Sequence, residues 1–294
     1  MRAPHRNRLQ TEWAEIAARA IKAGIRPDVE YYGPPKTLLS ESRKGDPAED
    51  LGYKNVFFYG APAGEAFAPD SRRTACPWSG ACETVCLITN SGQIRLPASR
   101  RAGVQRMALL YGNPGLFFDI MADELERLIN KSAHKGLKVA FRGDGGTDLK
   151  ITRRLLRAHP ELAEEPTLEI YDYTKDARGC IQALQSGHGR ELAALGYATT
   201  YSVSEASTLS DIETILDLGG SVTIVTDRRK GDALPPTWRG YPTVDGDAHD
   251  LVHLDPPGTV RVLAMKYSGK GGHARGVELG AEGGFITRMN DWVD

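Results

Sequence analysis

Short β-branched and aromatic runs alternate with helical segments through most of this chain, and that alternation restricts its fold more than any other feature. Asn55 to Tyr59 is an apolar run ending in a Gly/Pro-rich loop, Gly60 to Asp70, and reads as a buried strand feeding a long loop. From Lys138 the rhythm is regular. Lys138 to Arg142 is a strand and Asp148 to Arg157 a helix. Thr167 to Tyr171 is a strand, followed by a helix from Arg178 to Leu195 that Gly187 and Gly189 weaken. Thr199 to Val203 is a strand. A helix with a Ser210/Glu213 capping box then ends at Gly219. Ser221 to Val225 and Val260 to Met265 are strands, separated by a Pro-, Gly- and Asp-rich loop from Gly231 to Gly258. Strands that alternate with helices imply right-handed βαβ crossovers and a mostly parallel sheet. About six such units suit a partial (β/α) barrel within an α/β class. The first strand is followed by neither a G-x-G-x-x-G nor a phosphate loop, which weighs against a dinucleotide-binding doubly wound sheet.

Ahead of this series, Leu9, Trp13, Ile16, Ala17, Ala20 and Ile21 recur at helical spacing until Gly24 and Pro27 stop them. The polar stretch Pro34 to Tyr53 reads as surface. The expected organisation is an N-terminal helix and extension over 1–54 and a single barrel-like domain over 55–294. Between the first two barrel strands, Ile94 to Leu110 reads as a helix. Asn113-Pro114 opens another, lined by Phe117, Met121, Leu125 and Leu128.

The 294 residues carry a formal net charge of −1, so bulk charge does not mark a protein that coats nucleic acid. No apolar run approaches the roughly 20 residues a bilayer demands. The opening Met1 to Gln10 is basic and polar, without an apolar signal core. The expected location is therefore a reducing cytoplasm, with no membrane partner. There, cysteines serve metals or packing rather than disulfides.

Three of the four cysteines fall within one short segment, Cys76-Pro-Trp-Ser-Gly-Ala-Cys82-Glu-Thr-Val-Cys86, a C-x5-C-x3-C pattern. Thiolates gathered on one Pro/Gly-containing loop suit a soft-metal site. Three thiolates on a cubane iron–sulfur cluster leave one iron open to a small molecule. Zinc is the competing reading and needs a fourth donor, from Cys180 or a histidine. Inert buried thiols are the third. The histidines form no metal motif, and Cys180 reads as a small buried helix residue.

The ends of the strands supply the remaining candidates, because βα barrels place their active sites there. Arg142 and Asp144 follow the Lys138 strand. Asp144 lies in Gly-Asp-Gly-Gly, as a ligand carboxylate or as a turn residue, with Asp148 the expected helix cap. Tyr173 and Lys175 follow the next strand, and Ser202 and Ser204 share one face at the end of the third. Arg228 and Arg229, beside Lys230, suit an anionic substrate or a solvated face. Arg72, Arg73, Arg95, Arg100, Arg101 and Arg106 flank the cysteine segment and either guide a nucleic-acid backbone or form an exposed face.

A cysteine trio after the first strand of a βα series resembles the radical S-adenosylmethionine (SAM) superfamily, although both gaps are wider than its usual C-x3-C-x2-C. A closer resemblance covers most of the chain, to the phage gene product 88 family. It rests on Cys-Pro-x4-Cys-x3-Cys, Arg142-Gly143-Asp144, Tyr173-Thr174-Lys175, Ser202 to Ser204, and Gly246-Asp247-x-x-Asp250 followed by a strand and Lys266. These resemblances imply a radical-SAM-like barrel in a phage setting, or in the host cytoplasm if phage-encoded. They imply a [4Fe-4S] cluster on Cys76, Cys82 and Cys86, with SAM chelated by the open iron. They further imply an electron donor and cleavage of SAM to a 5′-deoxyadenosyl radical. On this reading Arg142, Asp144, Tyr173, Lys175, Ser202 and Ser204 bind the cofactor, and Arg228 and Arg229 bind a nucleotide or a base in phage DNA. The alternative is a zinc-stabilised nucleic-acid-binding phage protein without catalysis.

Overall fold

The computed structural model describes residues 4–43, 46–90, 96–187, 197–267 and 269–289. The chain forms two compact units, one of Met1–Pro77 with Gln93–Glu169 and the other of Trp78–Gly92 with Ile170–Asp294. The described residues hold nine strands, and the fold is mixed α/β.

In unit one, α1 (Pro4–Lys22) buries Leu9, Trp13, Ile16 and Ala20. Strand β1 (Leu39–Glu41), the short helix α2 (Pro47–Asp50) and strand β2 (Tyr53–Phe58) follow. The stretch expected to be surface thus contains a strand and a helical turn, with Leu38, Leu39 and Ala48 buried. A buried carboxylate explains the difference. Glu124 accepts hydrogen bonds from the Leu38 amide at 3.0 Å and the Leu39 amide at 2.8 Å, so polar sequence is tied into the interior. Strand β1 runs antiparallel to β2, with Ser40 opposite Phe57. Strand β2 runs parallel to β3 (Lys138–Arg142), with Val56 opposite Phe141.

The short helix α3 (Leu87–Asn90) belongs to unit two. Back in unit one, α4 (Pro97–Gly112) starts at a proline, and residues 94 and 95 of the expected helix lie outside the described residues. Its last residue approaches α1 closely. A Cβ at Gly112 would sit 2.2 Å from the Ile16 carbonyl oxygen, so only glycine permits the contact. Helix α5 (Pro114–Ala133) is capped by Asn113, whose side chain accepts from the Leu116 amide at 3.2 Å. Helix α6 (Ile151–Ala158) begins three residues later than Asp148 suggests.

In unit two, β4 (Leu168–Thr174, its first two residues counted in unit one) is parallel to β5 (Tyr197–Ser202). Strand β5 is parallel to β6 (Ser221–Thr226). The loop expected over 231–258 holds two further strands, β7 (Thr237–Trp238) and β8 (Tyr241–Asp245). Strand β9 (Val260–Ala264) lies between β6 and β8, parallel to both, and β7 closes the edge antiparallel to β8. One face of this sheet packs against α7 (Ala177–Gln185) and α8 (Leu209–Asp217) through Tyr201, Val203, Ile212, Ile215, Val222, Ile224, Val260 and Val262. The cap of α8 is Thr208, which accepts from the Asp211 amide at 3.1 Å, so the capping pair sits two residues earlier than Ser210/Glu213. Helix α9 (Gly272–Glu282) ends the series. Gly189 and the rest of the expected helix beyond 187 lie outside the described residues.

Candidate functional site

Within unit one, Cys76 lies at the carboxyl ends of β2 and β3. Its sulfur accepts from the Ala63 amide at 3.3 Å and donates to the Gly146 carbonyl at 3.7 Å. The backbone is tied down on both sides. Ala75 donates to the Ala63 carbonyl and accepts from the Asp148 amide, each at 2.9 Å. The loop after β3 is organised by Asp144, which is 3 % exposed. Its oxygens accept from Thr147 Oγ1 at 2.7 Å and from the Leu149 and Ile151 amides at 2.9 Å. Asp144 therefore satisfies the Ile151 amide at the start of α6. Arg142 ends β3 in register with Phe57.

Within unit two, the segment bearing Cys82 and Cys86 seats on the strands' carboxyl ends. Ala81, Cys82 and Val85 pack with Met265, which follows β9, and with Phe285 and Ile286. Lys175, one residue past β4, stands close enough to Cys82 for its charge to act on the thiol and lies 5.7 Å from the Phe285 ring centre. Burial pushes the Cys82 thiol above its ordinary value, and the Lys175 ammonium pulls it back down; Cys86 and Glu205 push it further up. Glu205, just past β5, accepts from the Ala81 amide at 2.8 Å. Cys82, Cys86, Lys175 and Glu205 are thus one electrostatic group.

The other candidates of unit two divide. Tyr173 is 9 % exposed and its hydroxyl donates to Asp250 at 2.8 Å, while Tyr171 donates to the other oxygen of the same carboxylate at 3.2 Å. Ser202 and Ser204 are buried, and the Ser204 amide donates to Ser207 Oγ at 2.9 Å. Arg228 faces inward, its side chain 2 % exposed. It donates to Asp245, to Asp247 at 2.8 Å and to the carbonyls of Val262 at 3.2 Å and Asp232 at 3.3 Å. Asp247 also accepts from the Ala264 amide at 2.8 Å, and the Lys266 ammonium lies 3.1 Å from its second oxygen. Arg229 and Lys230 are exposed. Sequence reading assigned no role to Asp245 or Glu205, whose partners lie far along the chain.

The arginines around the cysteine segment are largely engaged. Arg100 pairs with Glu65 at 2.6 Å, and Arg106 is buried on the carbonyls of Thr37 and Tyr59. Arg73 and Arg101 lie over the Tyr111 and Tyr32 rings. Arg95 lies outside the described residues.

Among the described residues, no group of three or more His, Cys, Asp or Glu side chains is arranged to hold a metal ion. No helix among them is long and apolar enough to cross a membrane. A family model described as Gene product 88 matches residues 36–278. Neither a curated protein nor a solved structure matches the chain.

Proposed function

The chain belongs to the Gene product 88 family of phage proteins, and from that premise we propose that it is an iron–sulfur enzyme of radical SAM type built on a partial (β/α) barrel. Cys76, Cys82 and Cys86 are the cluster's thiolates on this reading. One observation carries it. Each unit, taken by itself, seats its cysteines at the carboxyl ends of parallel strands: Cys76 beside the segments after β2 and β3, and Cys82 beside those after β4, β5 and β9. Those ends are where parallel α/β folds place reacting groups.

The donor chemistry suits the group, since thiolates are the ordinary ligands of such clusters. Held by these thiolates, a [4Fe-4S] cluster would supply the one-electron reduction that cleaves SAM.

The chain's own residues do the rest. The Lys175 charge favours ionisation of Cys82. Tyr173, held by Asp250, presents a fixed ring edge, and Ser202 and Ser204 offer hydroxyls for a ribose. Arg142 and Asp144 frame the end of β3. Asp144 acts by shaping its loop, because its oxygens already accept three bonds. Arg229 and Lys230 remain exposed for an anionic substrate, while Arg228 supports them from below through Asp245 and Asp247. The substrate class that fits is a nucleotide or a base in phage DNA, with a separate electron donor.

The test is anaerobic purification and reconstitution, with iron and sulfide analysis and a visible spectrum. Release of 5′-deoxyadenosine from SAM under reduction follows. About four irons per chain and SAM cleavage are expected. A colourless protein that takes one zinc and no iron sinks the proposal.

A further inference from the structure

We propose that Glu205 is the positioning residue of the cysteine segment, setting Cys82 on the strand ends through the Ala81 amide; this rests on the metal-centre reading above. Glu205 lies three residues beyond the end of β5. Its Oε1 accepts from the Ala81 amide at 2.8 Å, one residue before Cys82.

The surroundings are shaped for that carboxylate. Gly80 has φ +45°, and a Cβ there would sit 1.6 Å from Glu205 Oε1 and 2.8 Å from its carboxyl carbon. The carboxylate thus fills the volume that any side chain at position 80 would take. On the other side, a Cβ at Gly283 would lie 2.6 Å from Ala81 Cβ. A Cβ at Gly284, with φ +73°, would lie 3.2 Å from Glu205 Cβ. Two of these three glycines adopt backbone conformations that L side chains rarely take. The three together let the segment and the carboxylate approach to contact.

What the segment takes from Glu205 is the acceptor oxygen: it holds the Ala81 amide, and with it the neighbouring Cys82, in one place on the strand ends.

The test uses the full chain with Glu205→Gln, which keeps the acceptor, Glu205→Ala, which removes it, and Gly80→Ala, which drives a methyl into the carboxylate. The first measurement needs no metal. Alkylation of Cys82 in reduced protein is followed by peptide mass spectrometry, with Cys180 as internal reference. Glu205→Ala and Gly80→Ala are expected to raise the Cys82 rate about fivefold, the loss of one hydrogen bond's hold on the segment, with Glu205→Gln within about twofold of the native chain. The second is the electron paramagnetic resonance spectrum of reconstituted protein, which should change in Gly80→Ala and Glu205→Ala and stay native in Glu205→Gln. Unchanged alkylation in Glu205→Ala, or equal damage in Glu205→Gln, overturns the assignment. Failure of the native chain to take up iron overturns the metal-centre reading alone, because alkylation still reports on Glu205.

Discussion

Replacing Asp247 by alanine should destabilise unit two by about 3–5 kcal/mol, because it strips the main partner from a buried guanidinium. Asp247 has no exposed side-chain surface and Arg228 only 2 %. Three groups converge on the carboxylate: Arg228 Nη2 at 2.8 Å, the Ala264 amide at 2.8 Å and the Lys266 ammonium at 3.1 Å. With Asp247 gone, Arg228 keeps Asp245, whose side chain is 41 % exposed, and two long carbonyl contacts. The half-exposed pair is screened by water and compensates little. The Ala264 amide, in the last position of β9, loses its acceptor as well. Urea unfolding of the full chain, followed by circular dichroism, should show the midpoint fall by about 1–2 M. Adding Arg228→Met removes the stranded charge, and the double variant should recover about 2 kcal/mol over Asp247→Ala. The reasoning is refuted by a loss below about 1 kcal/mol in the single variant, or by a double variant no more stable than the single.

Two further outcomes follow from particular carboxylates. Asp144→Ala should cost about 2–3 kcal/mol and speed amide exchange at Leu149 and Ile151 about tenfold or more, since both amides lose their acceptor; unchanged exchange at both would remove Asp144 as the organiser of that loop. Burial pushes the Asp255 carboxyl up to about 6 against the pull of Arg261. A raised carboxyl favours the folded state fully below its unfolded value near 4, and that advantage is lost as pH rises through about 6. Stability of the native chain relative to Asp255→Asn should therefore fall between about pH 4 and 6, and a difference that stays flat across that window refutes the assignment.

Six strands, β2 to β6 and β9, were legible because each is an apolar run long enough to bury and is bounded by turn residues. Lys138–Arg142 matches its expected limits, and the ends of the others move by a few residues at most. What escaped were elements stabilised from elsewhere. Strand β1 is three residues long, and its approach is tied down by Glu124, 85 residues away in sequence from Leu39. Strands β7 and β8 lie in a stretch whose prolines and aspartates signal loop, yet β9 holds β8 in register and β8 holds β7. Helix starts slipped for a similar reason. Ser210 looks like a cap, but Thr208 is the residue whose oxygen reaches the first free amide of α8, and the Ile151 amide that opens α6 is met by Asp144, seven residues before it. Local spacing does not distinguish between neighbouring oxygens.

At the site, the same physics divides two adjacent arginines. Arg228 and Arg229 are equivalent in sequence, two cations after one strand. Arg228 turns inward because Asp245 and Asp247 wait 17 and 19 residues later, on and just beyond β8, an element that sequence did not reveal. Arg229 has only its backbone engaged, by Asp232 at 2.8 Å, and its side chain stays in water. The cysteines pose the same problem. Their spacing announces a thiol-rich segment, but the partners that give each sulfur its character come from afar. Gly146 meets Cys76 from 70 residues away, and Lys175 and Glu205 reach the Cys82 region from the ends of β4 and β5. A strand's carboxyl end can be placed from the sequence. Which charge it delivers to which thiol depends on the register between strands, as with Tyr173 opposite Thr200, and that register is a property of the folded sheet. The cysteine segment is therefore best interrogated through Lys175 and Glu205, the charges that the sheet delivers to it, rather than through its spacing alone.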